Sequence, residues 1–174
     1  DALHHRYLEH APSLSVQAAL RAIEEAGRRP SDIDALLIST CTGYLCPGLT
    51  SYVGERLGLR RDALMLDLVG QGCGAAIPNL RTADALLKAG ACEVVLSICV
   101  EVCSAAFFID EDVGVLISAC LFGDGAGAAV LERNENQNGK PLLKWKTSFS
   151  HLEPRDRELL KFEQRGGMLR NVLS

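Results

Sequence analysis

The sequence predicts an α/β protein with a largely parallel sheet and helices on both of its faces. Apolar runs of strand length alternate along the chain with apolar stripes at helical spacing. The runs are continuously apolar, as in parallel strands covered on both faces, whereas half-exposed strands alternate with polar residues. The 174 residues, 48% hydrophobic and 5% aromatic, fit one domain with a core of small aliphatic side chains.

The first elements follow from local signals. Residues 13–27 carry an apolar stripe at helical spacing, with Ser13 or Ser15 as the N-cap and Gly27 as the stop. A buried strand is predicted over 35–40. The elements that follow it are a helix over 51–57 closed by Gly58, a strand over 63–69, a helix from Cys73 to Gly90, and a strand over 93–100.

The second half of the chain is less regular. Residues 113–121 are uncharged and favour a short buried helix. The glycine-rich stretch 122–127 predicts a tight turn into a strand over 128–131, because its spacing differs from that of a phosphate-binding loop and no helix follows it. An antiparallel partner is predicted over 142–149, and an amphipathic helix around 153–163.

Cys73 is the strongest candidate for a chemical role. It follows the apolar run 63–69 through Gly70 and Gly72 and opens a helical pattern. Unpaired N–H groups give a helix N-terminus partial positive charge, so a thiol there loses its proton more readily and becomes a nucleophile. The same N–H groups can hold the oxyanion formed when a thiolate attacks an acyl carbon. The placement predicts cysteine acyl chemistry.

The other cysteines and the charge exclude several classes of function. The seven cysteines fit no zinc or disulfide spacing, so no metal is expected, and free thiols predict a cytoplasmic protein. Cys92, Cys99 and Cys120 lie in or beside apolar runs and are predicted to be core residues. A net charge of −4 indicates no nucleic-acid partner, and no apolar stretch has the length of a membrane span.

Three motifs together resemble the type III polyketide synthases, the chalcone and stilbene synthase family. They are the Pro-Gly loop over 41–49, Gly-Gln-Gly-Cys over 70–73, and Leu-Phe-Gly-Asp-Gly-Ala-Gly over 121–127. The resemblance spans 13–174, and the tail over 162–171 is similar to bacterial members. It implies a thiolase-like layered α/β/α/β/α fold and a homodimer. It also implies decarboxylative Claisen condensation of malonyl-CoA onto an acyl-CoA starter, with CoA thioesters as substrates and no cofactor.

The resemblance also implies roles for individual residues. Cys73 matches the nucleophile, and the other matched positions line the substrate site. These are Cys41 and Thr42 on the loop lining the pocket, Cys46 reaching across the dimer, Cys103 on the cavity wall, and Phe122 as the gatekeeper between the CoA tunnel and the cavity.

The family's catalytic His and Asn have no counterpart in this sequence. His151 is the only histidine after Cys73, and neither its setting nor that of Asn171 matches the family pattern. Both chain ends look cut, so residues 1–174 are expected to form a single, partial N-terminal domain of a longer enzyme. We expect that this segment alone makes no polyketide.

Two alternatives remain at this point. A ketoacyl-acyl-carrier-protein synthase III-like enzyme shares the fold and the cysteine, but would take its extender from a carrier protein rather than from CoA. A non-catalytic dimerisation module would hold Cys73 only as a packed side chain.

Overall fold

Four strands form one mixed sheet in the computed structural model, which describes residues 2–106, 111–133, 143–165 and 168–173. The strands are β1 (Ala35–Thr40), β2 (Leu64–Val69), β3 (Val94–Val102) and β4 (Asp124–Glu132). Their order in the sheet is β2-β1-β3-β4. β1 pairs in parallel with both β2 and β3, and β4 pairs antiparallel with β3. The predicted largely parallel sheet is therefore confirmed.

Helices surround this sheet, and a hairpin follows it. The helices are α1 (Ala2–Glu25), α2 (Leu49–Leu57), α3 (Ala76–Lys88), α4 (Cys103–Ala106) and α5 (Val113–Leu121). The hairpin consists of β5 (Leu160–Arg165) and β6 (Met168–Leu173), preceded by a 3-10 helix over Pro154–Glu158. No helix in the described ranges is both long enough and apolar enough to cross a membrane.

The core has two layers, one on each face of the sheet. Leu36 and Ile38 of β1 pack in the cluster formed with α1 and α2. Leu37, between them, packs on the opposite face against Ala83 and Leu87 of α3. Because successive side chains of a strand point to opposite faces, a strand covered on both faces must be apolar throughout. This explains the continuous apolar run over 35–40 and confirms helices on both faces.

The predicted start of the first helix is wrong. α1 begins at Ala2, and Ser15 lies buried inside the helix, where its hydroxyl donates to the Ala11 carbonyl at 2.8 Å. A serine in mid-helix can satisfy its hydroxyl in this way, so it need not mark an N-cap. The predicted stop is confirmed, because Gly27 has a φ of +65° just after the helix ends.

The elements after residue 112 depart further from the prediction. α5 is a helix as predicted, but it is only partly buried: Val115 and Ser118 are buried, whereas Val113 is 68% and Leu121 73% exposed. Residues 124–127 of the glycine-rich stretch belong to β4 rather than to a turn, because they pair along the carboxyl end of β3. Residues 143–153 form no strand, and residue 142 lies outside the described residues. The helix predicted around 153–163 is replaced by the 3-10 helix and β5.

Candidate active site

The candidate site lies where the parallel strands β2, β1 and β3 end. The register pairs Thr40 with Val69, and Ser39 with Cys99, so the carboxyl ends of the three strands meet at one edge of the sheet. Ligands of open α/β sheets bind at this kind of edge. The chain segments that leave this edge carry most of the predicted site residues.

Each strand delivers a candidate residue to this edge. Cys41 and Thr42 directly follow β1, and Cys103 directly follows β3. Cys73 follows β2 after a short turn. Phe122 lies two residues before the start of β4, where Asp124 pairs with Val102 at the end of β3. The structure thus brings five of the six predicted site residues to one edge.

Cys73 is exposed and lies in a turn, not in a helix. Gly70 and Gly72 have φ values of +78° and +69°, a conformation that strongly favours glycine. The prediction that Cys73 opens the helix is wrong by three residues, since α3 begins at Ala76. The Ala75 N–H donates to the Gly72 carbonyl at 3.1 Å, so tight turn bonds extend the helix start back toward the cysteine.

A buried asparagine fixes α3, and with it the Cys73 turn, against the sheet. The Asn79 Nδ2 donates to the Ser39 hydroxyl at 2.8 Å and to the Ile98 carbonyl at 3.1 Å. Its Oδ1 accepts from the Ser97 hydroxyl at 2.9 Å. Asn79 is fully buried, and such a satisfied polar network specifies one position of the helix on the sheet.

Glu101, near the end of β3, organises the residues that follow β1. Its Oε1 accepts from the Cys41 N–H at 2.9 Å, and its Oε2 from the Thr42 N–H at 2.9 Å. The Thr42 hydroxyl donates to Oε2 at 2.7 Å and accepts from the Val102 N–H at 2.9 Å. One carboxylate thereby fixes both backbone N–H groups of the predicted pocket loop.

Tyr7 of α1 supports the same loop from the core. Its hydroxyl donates to the Thr40 hydroxyl at 3.0 Å, and Thr40 in turn donates to Glu101 at 3.3 Å. A Cβ on Gly43 would lie 2.3 Å from the Tyr7 ring, so the loop backbone rests directly on the ring. Burial is the main cause that raises the pKa of Tyr7 to about 12.

The two thiols beside Cys73 are held in the neutral form. Burial, followed by the Glu101 carboxylate, raises the pKa of Cys41 to about 12, and charge on Cys73 contributes further. Burial and then Glu101 also raise the pKa of Cys103, with contributions from Asp124 and Cys73. The protonated thiol is a poor nucleophile. Cys73 is therefore the accessible sulfur at this edge, beside two thiols that stay protonated at neutral pH.

The two candidates still to be described are Cys46 and Phe122. Cys46 is exposed in the loop between β1 and α2, next to the cis peptide bond to Pro47. Phe122 is half-buried, with its ring centroid 6.2 Å from that of Phe162 and the ring planes at 48°. An aromatic pair at this spacing is mutually attractive and orients both rings.

The other cysteines give a mixed outcome. Cys92 is buried as predicted, and Cys99 is half-buried within β3. Cys120 is exposed on α5, so its predicted core position is wrong. Across the described residues, no group of three or more His, Cys, Asp or Glu side chains is placed to hold a metal ion.

Sequence reasoning missed Glu101 and Tyr7. Glu101 is the only charged residue in the apolar run of β3, and an acid in such a run signals a carboxylate with dedicated partners. Tyr7 gave no comparable signal, because its partners Thr40 and Gly43 are more than 30 positions away in the chain.

Comparison with known proteins identifies relatives of this chain. The family model described as "Chalcone and stilbene synthases, N-terminal domain" matches residues 2–134. The chain is 31% identical over 152 residues to an alpha-pyrone synthesis polyketide synthase-like protein of Mycobacterium tuberculosis, covering 85% of this chain and 38% of that protein. It is 30% identical over 158 residues to a phloroglucinol synthase of Pseudomonas fluorescens, covering 90% of this chain and 44% of that protein.

Solved structures agree with these relatives. Germicidin synthase from Streptomyces coelicolor, a type III polyketide synthase, superposes with a TM-score of 0.87 at 29% identity, over 99% of this chain and 44% of that one. The C-terminal type III polyketide synthase domain of Steely1 from Dictyostelium gives 0.92 at 27% identity, over 99% of this chain and 47% of that one.

The chain thus spans less than half the length of the curated relatives and solved structures named above. Its matched region nevertheless includes the whole four-stranded sheet and the Cys73 turn. The layered architecture around that sheet is thiolase-like, as in those type III polyketide synthases. On the strength of the family match and the two structures, this protein belongs to the chalcone and stilbene synthase family.

Proposed function

We propose that the chain carries the nucleophilic cysteine of a type III polyketide synthase, an acyltransferase that condenses malonyl-CoA onto an acyl-CoA starter. One observation carries this proposal: Cys73 is exposed at the carboxyl edge of the sheet, while Cys41 and Cys103 beside it are held protonated. Residues 1–174 then form a partial N-terminal domain, and the free thiols support a cytoplasmic enzyme.

The chemistry proceeds in two steps. The Cys73 thiolate attacks the carbonyl of the starter thioester, and the tetrahedral oxyanion expels CoA as a thiolate, which leaves an acyl group on Cys73. Malonyl-CoA then loses CO2, and the resulting enolate attacks the Cys73 thioester to form a new carbon–carbon bond and release the cysteine. The Ala75 N–H is already bonded, so we assign the oxyanion to backbone N–H groups that precede it.

The other predicted site residues shape the substrate site. Cys41 and Thr42, fixed by Glu101, line one wall, and Cys103 forms another. Phe122 stands as a gatekeeper, its ring oriented by Phe162. The neutral thiols of Cys41 and Cys103 are poor nucleophiles, so they can contact an acyl chain without taking the acyl group in place of Cys73.

A homodimer is part of this proposal. Among the described strands, β2 is an edge strand with one neighbour, and it exposes Leu64, Met65 and Val69 at 37 to 43%. An exposed apolar edge is a template for pairing with another strand. The exposed Cys46 loop would then reach the partner's site. Substituting Met65→Lys should convert a dimer to a monomer in size-exclusion chromatography with light scattering, and an unchanged mass would exclude this interface.

Acyl loading is the direct test of the chemistry. The chain is incubated with a short-chain acyl-CoA, and the mass of the intact protein and of its peptides is measured. We expect one acyl group, on Cys73, lost in Cys73→Ser and retained in the matched Cys120→Ser. An adduct that survives Cys73→Ser would refute the assignment. We expect no polyketide from malonyl-CoA, since the chain lacks counterparts of the family His and Asn.

The two alternatives are less well supported, because the Mycobacterium tuberculosis relative is a polyketide synthase-like protein and both solved structures are type III polyketide synthases. A carrier-protein-dependent condensing enzyme would be recognised by extension from malonyl-carrier protein but not from malonyl-CoA. A non-catalytic module would leave Cys73 without any acyl adduct.

A further inference from the structure

Two aspartates outside the proposed chemistry each bond a residue that is close in the chain to a proposed substrate-site cysteine. The first is Asp67, in the middle of β2. Its Oδ1 accepts from the Thr50 N–H at 3.2 Å and its Oδ2 from the Thr50 hydroxyl at 2.5 Å. Thr50 is buried in the first turn of α2. Asp67, on β2, therefore accepts from one of the backbone N–H groups that have no partner within the helix.

The backbone is shaped around this carboxylate. Gly48 is the N-cap of α2 and lies two residues after Cys46. A Cβ built on Gly48 would be 2.2 Å from the Asp67 Oδ2. Glycine is therefore required for the carboxylate to approach the loop, and Asp67 fixes the point at which the Cys46 loop (residues 41–48) joins α2.

The second aspartate is Asp124, the first residue of β4. Its Oδ1 accepts from the Ser104 N–H at 2.8 Å and its Oδ2 from the Ser104 hydroxyl at 2.5 Å. Ser104 follows Cys103 in the one-turn helix α4, here called the Cys103 turn (residues 103–106). Asp124 also pairs with Val102, the residue before Cys103. The aspartate thus holds the turn from the neighbouring strand.

We propose that Asp67 and Asp124 are positioning residues that set which acyl chains the site accepts, by fixing the Cys46 loop and the Cys103 turn. This inference rests on the proposed function. Neither carboxylate acts on the reacting atoms: each acts through the hydroxyl and N–H of one residue, which is Thr50 just after the Cys46 loop or Ser104 next to Cys103. Asp124 of the Gly-Asp-Gly stretch thereby has a role in holding the Cys103 turn.

The two contacts of each aspartate suggest a graded set of variants. Asp→Ala removes both. Asp→Asn retains the N–H···O bond, and its NH2 can donate to the hydroxyl oxygen, which accepts as well as donates. The asparagine variants should therefore keep the geometry that the alanine variants lose. Asp62→Ala, which removes an exposed carboxylate elsewhere, is the matched control.

Two measurements on the full chain test the proposal. Hydrogen–deuterium exchange should accelerate only around the Cys46 loop in Asp67→Ala, and only around the Cys103 turn in Asp124→Ala. Competition among acyl-CoAs of increasing chain length should shift the ratio of acyl groups on Cys73 by at least about fivefold in either alanine variant, or about 1 kcal/mol. The asparagine variants should stay within about twofold of the unaltered chain.

An unchanged acyl ratio in the alanine variants, with loading intact, would overturn the proposal, and so would exchange that accelerates throughout the molecule. Failure of the unaltered chain to form any acyl adduct would instead overturn the proposed function, and this is seen before any variant is compared.

Discussion

Replacing Glu101 with glutamine tests the network that shapes the predicted pocket loop. Glutamine keeps the shape of glutamate but turns one acceptor oxygen into an NH2 donor. Oε1 accepts from the Cys41 N–H and Oε2 from the Thr42 N–H, each at 2.9 Å, and the Cys41 N–H also lies 3.1 Å from Oε2. Whichever way the amide is turned, one backbone N–H faces another donor. Glu101→Gln therefore places an NH2 group against a half-buried N–H group and removes the charge that all of these bonds share.

The magnitude follows from the bonds lost. A hydrogen bond to a charged group contributes about 1.5–3 kcal/mol, and the remaining bonds weaken without the charge, so we expect a loss of about 3 kcal/mol in the free energy of unfolding. In a domain of this size that loss lowers Tm by about 6–12 °C. Glu55→Gln, at an exposed position on α2, is the control and should change stability by less than about 0.5 kcal/mol.

The same variant has a chemical readout at Cys41. The Glu101 carboxylate is the second cause, after burial, that raises the pKa of Cys41 to about 12. Removing that charge lowers the Cys41 pKa, and each unit of decrease raises the thiolate fraction about tenfold at a fixed mildly alkaline pH. Iodoacetamide labelling with peptide mapping should show faster modification of Cys41. An unchanged Cys41 rate, or an equal increase at buried Cys92, would show that the Glu101 charge does not control the Cys41 pKa.

Three further substitutions test the surrounding structure. The pKa of Tyr7 is about 12 in the folded protein, compared with 10.0 for an ordinary tyrosine. Its contribution to the free energy of unfolding is therefore complete below pH 10 and is lost as the pH rises toward 12. Tyr7→Phe should flatten this alkaline loss, at most about 1.4 kcal/mol per pH unit, in urea midpoints. Asn79→Leu leaves three buried polar groups without their partner and should lower the free energy of unfolding by about 2–4 kcal/mol. A loss under about 1 kcal/mol would contradict the network. Gly48→Ala should destabilise by about 1–3 kcal/mol and be partly rescued by Asp67→Ala, whereas Gly74→Ala, with nothing within 4 Å, should be nearly neutral.

Elements with local signals were predictable from the sequence. The strand over 35–40 is apolar at every position because both of its faces are covered, and β1 occupies those residues. Gly58, with a φ of +67°, closes α2 where a glycine stop was predicted. Cys73 was recognised because glycines and an apolar run precede it, although the helix starts three residues later.

Features that depend on distant partners were not predictable in this way. Residues 124–127 form a strand only because β3 offers them a pairing edge. Residues 143–153 lie along α3, where Arg81 donates to the Ser148 hydroxyl at 2.9 Å and to the Ser150 hydroxyl at 2.8 Å. A single acid in an apolar strand signals a carboxylate with partners, but the sequence does not show which ones: the Glu101 partners follow β1, and the Asp67 partner lies on α2.

Two other exposed cysteines provide internal standards for the reactivity of Cys73. Cys120 lies in the last turn of α5, where the partial negative charge of a helix end opposes a thiolate. Cys46 also precedes a helix by three residues, but the Asp67 carboxylate occupies that helix start. Cys73 precedes α3, at whose start none of the described contacts places a carboxylate.

The most direct measurement is therefore limited alkylation near neutral pH, with the extent of labelling mapped at each of the seven cysteines, in the presence and absence of an acyl-CoA. If Cys73 is the nucleophile, it is modified first, and the acyl-CoA protects this cysteine alone. Labelling of Cys73 no faster than that of Cys46 or Cys120, with no protection by the thioester, would contradict this assignment.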